Sequence, residues 1–201
     1  MQKELLNQAM AVFDSPEKWQ AFLDMVNQKD ALKWQYFKKI KQPLLKYFHE
    51  NPVEGWVCEP WSNKDYDFRW YLKDFGPKSL CLAIGWSFEF HLHLEDIVGF
   101  DSLKIDDLLK TEYSMLLASF DRVDRQYESH TKAMEWRNYS FGSPYDTYFD
   151  NNHIDHLSWY AGNETQNFVN QIVAKVEKFR KSQEITQMLY ELNEKSRKLI
   201  S

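Results

Sequence analysis

Glycine and proline are scarce in this chain of 201 residues, six of each, and cysteine occurs only twice. That scarcity excludes a collagenous or linker-like polymer. Cys58 and Cys81 form no C-x-x-C step and no zinc-finger spacing, so they read as two reduced thiols. The longest mostly uncharged apolar stretch, Ser79–Phe88, falls far short of the roughly 20 residues that span a bilayer. No membrane association is expected. G-x-S-x-G, G-x-x-x-x-G-K-[ST] and G-x-G-x-x-G are all missing, so neither a classical serine nucleophile nor a phosphate-cradling loop is indicated. The N-terminus lacks an apolar core of signal-peptide length and is charged from Lys3 and Glu4 onward. It therefore reads as a mature N-terminus, and a cytoplasmic location is expected.

Aromatic residues are abundant: 8 Trp, 11 Tyr and 14 Phe, 16% of the chain. A chain so rich in rings can bury enough apolar surface to offset its ordering entropy, which excludes a disordered tail. The net charge is 25 − 30 = −5, but the charges are segregated. Residues 31–49 carry Lys33, Lys38, Lys39, Lys41 and Lys46 and no acid. Residues 138–174 carry no Lys or Arg, yet hold Asp146, Asp150, Asp155 and Glu164. Residues 175–198 turn basic again.

Residues 1–49 read as helical. Ser15-Pro16-Glu17 supplies an N-cap, a proline at the first helical position and an early acid. The helix that follows is expected to bury Trp19, Phe22, Leu23 and Val26. Asp30 is expected to cap the next, whose stripe is Trp34, Phe37, Ile40, Leu44, Leu45 and Phe48. Pro43 is expected to kink it near Lys39. After Asn51-Pro52 the period changes to two. Residues 66–73 alternate, 74–78 form a turn, and Leu80, Leu82, Ile84, Trp86, Phe88, Phe90, Leu92 and Leu94 alternate without a miss. This is a hairpin with one buried face.

One long helix is expected from Asp101 or Ser102 to Val123, then a loop near Arg137, a short helix at 154–160 and a long C-terminal helix over 163–198. The fold class is α+β: a small antiparallel sheet, its central hairpin at about 66–94, covered by N-terminal, middle and C-terminal helices. Residues 1–201 read as a single domain.

Four constellations carry chemistry. Alternation sets Glu89, His91, His93 and Glu95 on one strand face, about 7 Å apart in pairs. His91, His93 and Glu95 form a metal-ligand set, with His153, Asp155 or His156 as a further donor. Asp67 and Glu89, on two arms of the sheet, are carboxylates able to hold Mg²⁺ for phosphodiester hydrolysis. A helix followed by strands with an acid and a Glu-x-basic step resembles the PD-(D/E)XK nucleases over about a third of the chain. The departures are His91 where that motif has Lys, and no Pro before Asp67. Lys38, Lys39 and Lys46, with Tyr36 and Tyr47 beside them, suit a nucleic-acid backbone and its bases. Last comes the acidic, aromatic stretch 136–160, whose Tyr145, Asp146, Tyr148, Asp150, Asp155 and Trp159 suit a protein interface.

The favoured reading is a non-enzymatic cytosolic protein that binds a protein partner through this acidic, aromatic surface, and it implies no particular cofactor. In that broad character it resembles bacterial immunity and antitoxin proteins. The alternative is a metal-dependent hydrolase or nuclease, for which a divalent metal is the implied cofactor. The Lys-rich helix adds nucleic acid as a further candidate partner.

Overall fold

The computed structural model describes residues 2–60, 67–84, 90–93, 102–119, 122–128, 135–140 and 154–198. Eight helices occur among them: α1 Gln2–Val12, α2 Pro16–Asn27, α3 Lys29–Glu50, α4 Ser102–Thr111, α5 Ser114–Ala118, α6 Ile154–Asn163, α7 Thr165–Arg180 and α8 Gln183–Lys198. Six strands occur: β1 Trp56–Pro60, β2 Phe68–Leu72, β3 Cys81–Ile84, β4 Phe90–His93, β5 Arg122–Glu128 and β6 Glu135–Ser140. They pair antiparallel in the order β1-β2-β3-β4-β6-β5. The fold is α+β, with helices flanking an antiparallel sheet.

Helix α3 is the spine. Its i, i+3 and i+4 spacing buries Phe37, Ile40, Leu44 and Phe48, and the helix runs uninterrupted through Pro43. These side chains join Phe68, Trp70, Leu82, Ile84 and Leu92 of the sheet in one apolar cluster. Phe48 meets Trp70 edge to face at 5.4 Å. Helices α6, α7 and α8 extend the cluster through Leu157, Phe168, Ile172, Val176, Leu189 and Leu192. Each side chain so buried contributes about 1.5–3 kcal/mol of transfer free energy.

Several expectations are corrected. Helix α2 forms where Ser15 predicts, its hydroxyl accepting from the Lys18 N–H at 3.3 Å, but it buries nothing. Trp19 and Val26 are exposed, and Phe22 and Leu23 are only half-buried. Periodicity marks an apolar face; it does not say what covers that face. Asp30 is no cap: α3 starts after Gln28, and Asp30 lies in the first turn, paired with Lys33 at 2.7 Å. The helix expected over 102–123 is α4, α5 and the start of β5, broken at the non-helical Tyr113. Residues 138–140, expected to open a loop, lie in β6. The expected helix 163–198 is two helices, parted at Lys181-Ser182, where the Ser182 hydroxyl accepts from the Ile185 N–H at 3.2 Å.

The hairpin is buried on more than one face. Asp67 and Tyr71 are buried beside Phe68 and Trp70, and all four residues of β3 are buried. Cys81-Leu82-Ala83-Ile84 is a continuous apolar run, the pattern of an interior strand covered on both sides.

Helix α8 is tied to the sheet by one side chain. Asn193, only 1% exposed, accepts from the Leu80 N–H at 2.9 Å. It donates to the Leu80 carbonyl at 3.2 Å and to the Leu189 carbonyl at 3.0 Å. Asn193→Leu keeps the volume and orphans both buried backbone groups of Leu80, at about 1–3 kcal/mol each. Chemical denaturation is expected to show a loss of roughly 2–4 kcal/mol, with no change in far-UV circular dichroism before the transition. A loss under about 0.5 kcal/mol contradicts the assignment.

Candidate functional site

Two surfaces converge on α3. At its N-terminal half, α6 packs so closely that a Cβ on Gly162 would overlap the Tyr36 ring. Glycine is required by that approach, not by its backbone angles. Lys39 Nζ donates to the Gly162 carbonyl at 2.8 Å, and its ammonium lies 5.4 Å from the centre of the Tyr36 ring. Both residues are thereby engaged with the end of α6. On α6 itself Leu157, Tyr160 and Ala161 are buried, whereas Trp159 is 45% exposed and meets Tyr160 edge to face at 5.2 Å.

At the C-terminal half of α3 an open cleft of about 430 Å³ is lined by Gln42, Leu45, Lys46, Phe48, His49 and Cys58. Arg180 closes the molecule beside it. Its Nη1 donates to Glu177 Oε1 at 2.6 Å, its Nη2 donates to the Asn51 carbonyl at 3.1 Å, and its guanidinium lies 4.7 Å from the centre of the Phe48 ring. Arg180 and Glu177 are both buried, so their pairing offsets a large desolvation cost. Lys181 adds a second cation 3.3 Å from Glu177 Oε2. Burial pushes the Cys58 thiol up to about 12, against a smaller opposing pull from Arg180. A thiol held neutral in this way is no nucleophile at physiological pH.

The sheet carries a second polar network. It joins Glu59 of β1 to Arg69 and Tyr71 of β2; Glu59 and Arg69 are partners in the backbone register. Arg69 reaches Glu59 Oε1 through Nε at 2.8 Å and Nη2 at 2.5 Å, and donates from Nη1 to the Pro77 carbonyl at 3.0 Å. The Tyr71 hydroxyl donates to Glu59 Oε2 at 3.1 Å. Its pKa is raised, first by burial and then by the Glu59 charge. This network cements β1 to β2 and leaves Arg69 held on two sides.

The residues singled out from the sequence are spread over several elements. Asp67 is buried immediately before β2, while Glu89 and Glu95 lie outside the described residues. His91 pairs with Ala83 and His93 with Cys81, so β3 separates their strand from β2. Among the described residues, no group of three His, Cys, Asp or Glu is placed to hold a metal ion. His153 lies outside the described residues; Asp155 and His156 fall within α6. Tyr145, Asp146, Tyr148 and Asp150 also lie outside them. Lys38, Lys39 and Lys46 are exposed on α3 as expected, but Lys46 lies 3.9 Å from Glu50 and Lys39 is bonded to Gly162. Tyr36 and Tyr47, expected to be exposed for base stacking, are half-buried against Gly162 and Phe48.

Two features escaped sequence reasoning. The cleft beside Cys58 joins α3 to β1, and no local spacing announces it. The second is a set of exposed apolar side chains on α1, α2 and the start of α3: Leu5, Leu6, Met10, Val12, Trp19, Met25, Val26 and Leu32 are each 51–74% exposed. For Trp19 and Val26 the signal is the amphipathic pattern that led them to be expected in the core. Comparison with family models, curated proteins and solved structures finds no match for the chain. Among the described residues, no helix is long and apolar enough to cross a membrane.

The Cys58 thiol has a readable consequence for stability. It ionises near 9 when unconstrained and near 12 in the folded chain. Between those values the unfolded state binds fewer protons, so the thiol's contribution is complete below pH 9 and falls as pH rises through the window. The slope is at most about 1.4 kcal/mol per pH unit for one group. Denaturation of the Cys58→Ala variant between about pH 9 and 11 is expected to show a shallower decline than wild type. Equal slopes contradict the placement of this thiol.

Proposed function

We propose that this chain is a non-enzymatic protein-binding module that takes a basic protein surface at its α6 end. The observation that carries the reading is Trp159, half-exposed on a helix whose neighbouring Leu157, Tyr160 and Ala161 are buried. A half-exposed indole is costly in water and is among the side chains most enriched at binding hot spots. The surrounding stretch supports the sign of the partner. Residues 138–174 contain Asp146, Asp150, Asp155 and Glu164 and no Lys or Arg, so a cationic partner is favoured by long-range attraction.

The competing hydrolase reading rests on Asp67, Glu89, His91, His93 and Glu95. Of these side chains only Asp67 falls among the described ones, and it is buried. The cytosolic location and the likeness in character to immunity and antitoxin proteins belong to the same proposal and follow from composition alone.

A photo-crosslinking amino acid at position 159, in cells that naturally make the protein, tests the reading. The expected result is one discrete adduct whose added mass is not that of a second copy, absent when the probe sits at the exposed Gln187 of α8. Its yield should fall when Asp155 is replaced by Lys. No adduct at 159, or the same adduct from both positions, contradicts the proposal.

A further inference from the structure

We infer that the apolar face of α2, flanked by α1, is a self-association surface occupied by a second copy of this chain. The helix pair is preorganised for docking. The corner between the two helices is set by the Ser15 cap and by a local ring cluster, with Phe13 to Phe22 at 4.5 Å and Trp19 to Phe22 at 5.4 Å. Yet α2 buries no residue in its own chain, and the apolar core begins only at α3.

On the α2 face itself Trp19 and Val26 are 51% and 53% exposed, with Phe22 and Leu23 half-buried between them.

The residue pattern is self-complementary. Trp19, Phe22, Leu23 and Val26 are symmetric about the point between Phe22 and Leu23. Two copies of α2 crossing antiparallel on a two-fold axis set Trp19 of each against Val26 of the other, large against small, with Phe22 and Leu23 meeting at the centre. A parallel crossing would set Trp19 on Trp19. The antiparallel register also brings Glu17 of one copy within one position of Lys29 of the other, twice by symmetry. Mixed charge along residues 2–32, with Lys3, Lys18 and Lys29 among the acids, avoids the self-repulsion that a single-sign surface would impose.

Sedimentation equilibrium of the full chain at about 100 µM, which populates any dimer with a Kd of about 10 µM or tighter, is the test. The 24.2 kDa chain is expected to sediment at twice that mass. The Trp19→Glu/Val26→Glu variant is expected to sediment at the single-chain mass, and Val26→Glu alone, which leaves the Phe13, Trp19 and Phe22 rings in place, is expected to weaken the dimer with unchanged circular dichroism. Glu17→Lys should weaken the dimer about tenfold or more, and Glu17→Lys combined with Lys29→Glu should restore it. A wild-type chain that stays at the single-chain mass, a dimer that survives the double Glu variant, or charge reversal without rescue each overturns the inference. None of these outcomes bears on the Trp159 surface, which involves other residues.

Discussion

One side-chain amide decides where the C-terminal helix sits. Leu80 precedes β3, and its N–H and carbonyl are taken together by Asn193, which also bonds the Leu189 carbonyl. In a dry interior an unpaired peptide group costs more than a paired one gains, so this amide must be met wherever the chain folds. Meeting it seats α8 with Ile185, Leu189 and Leu192 in the core. The Arg180–Glu177 pair acts in the same way one helix earlier, drawing α7 to the end of α3 through the Asn51 carbonyl. Two polar contacts across 113 and 129 positions of sequence thus orient a largely apolar interior.

What those contacts assemble is a body that begins at α3. Helix α3, strands β1 to β4 and helices α4 to α8 all contribute side chains to one cluster or pack against it; α1 and α2 do not. An amphipathic helix pair left outside the core is expensive in water unless another surface covers it. The same physics applies on a smaller scale to Trp159. The protein-binding proposal and the self-association inference therefore share one premise, that uncovered apolar surface on an ordered frame is there to be covered. They differ in the occupant: a different protein at α6, a second copy of the chain at α2.

The parts of the fold legible in the sequence were those in which a local pattern names its own outcome. Ser15-Pro16 starts α2, the stripe from Phe37 to Phe48 is buried, and Gly76, with φ 75°, lies in the turn before β3. Other parts depend on distant groups. Nothing near Asn193, Glu177 or Arg180 marks them as buried, since their partners or surroundings lie elsewhere in the chain. Trp19 and Val26 show the converse: the spacing is right and the cover is missing. For the candidate site, Trp159 was singled out by residue type and Asp67 as a carboxylate beside a strand. That Asp67 is buried, and that Tyr36 is packed on Gly162, follows only from how distant elements meet, above all α6 on α3.

The division between a clamped body and an external helix pair is tested most directly by amide hydrogen exchange at two protein concentrations. At high dilution, the backbone of α3, β3 and α8 should exchange slowly together, while residues 16–27 exchange far faster. Raising the concentration should slow residues 16–27 and leave the body unchanged. Protection of residues 16–27 equal to that of α3 at high dilution would contradict the account, because α2 would then belong to the core of its own chain.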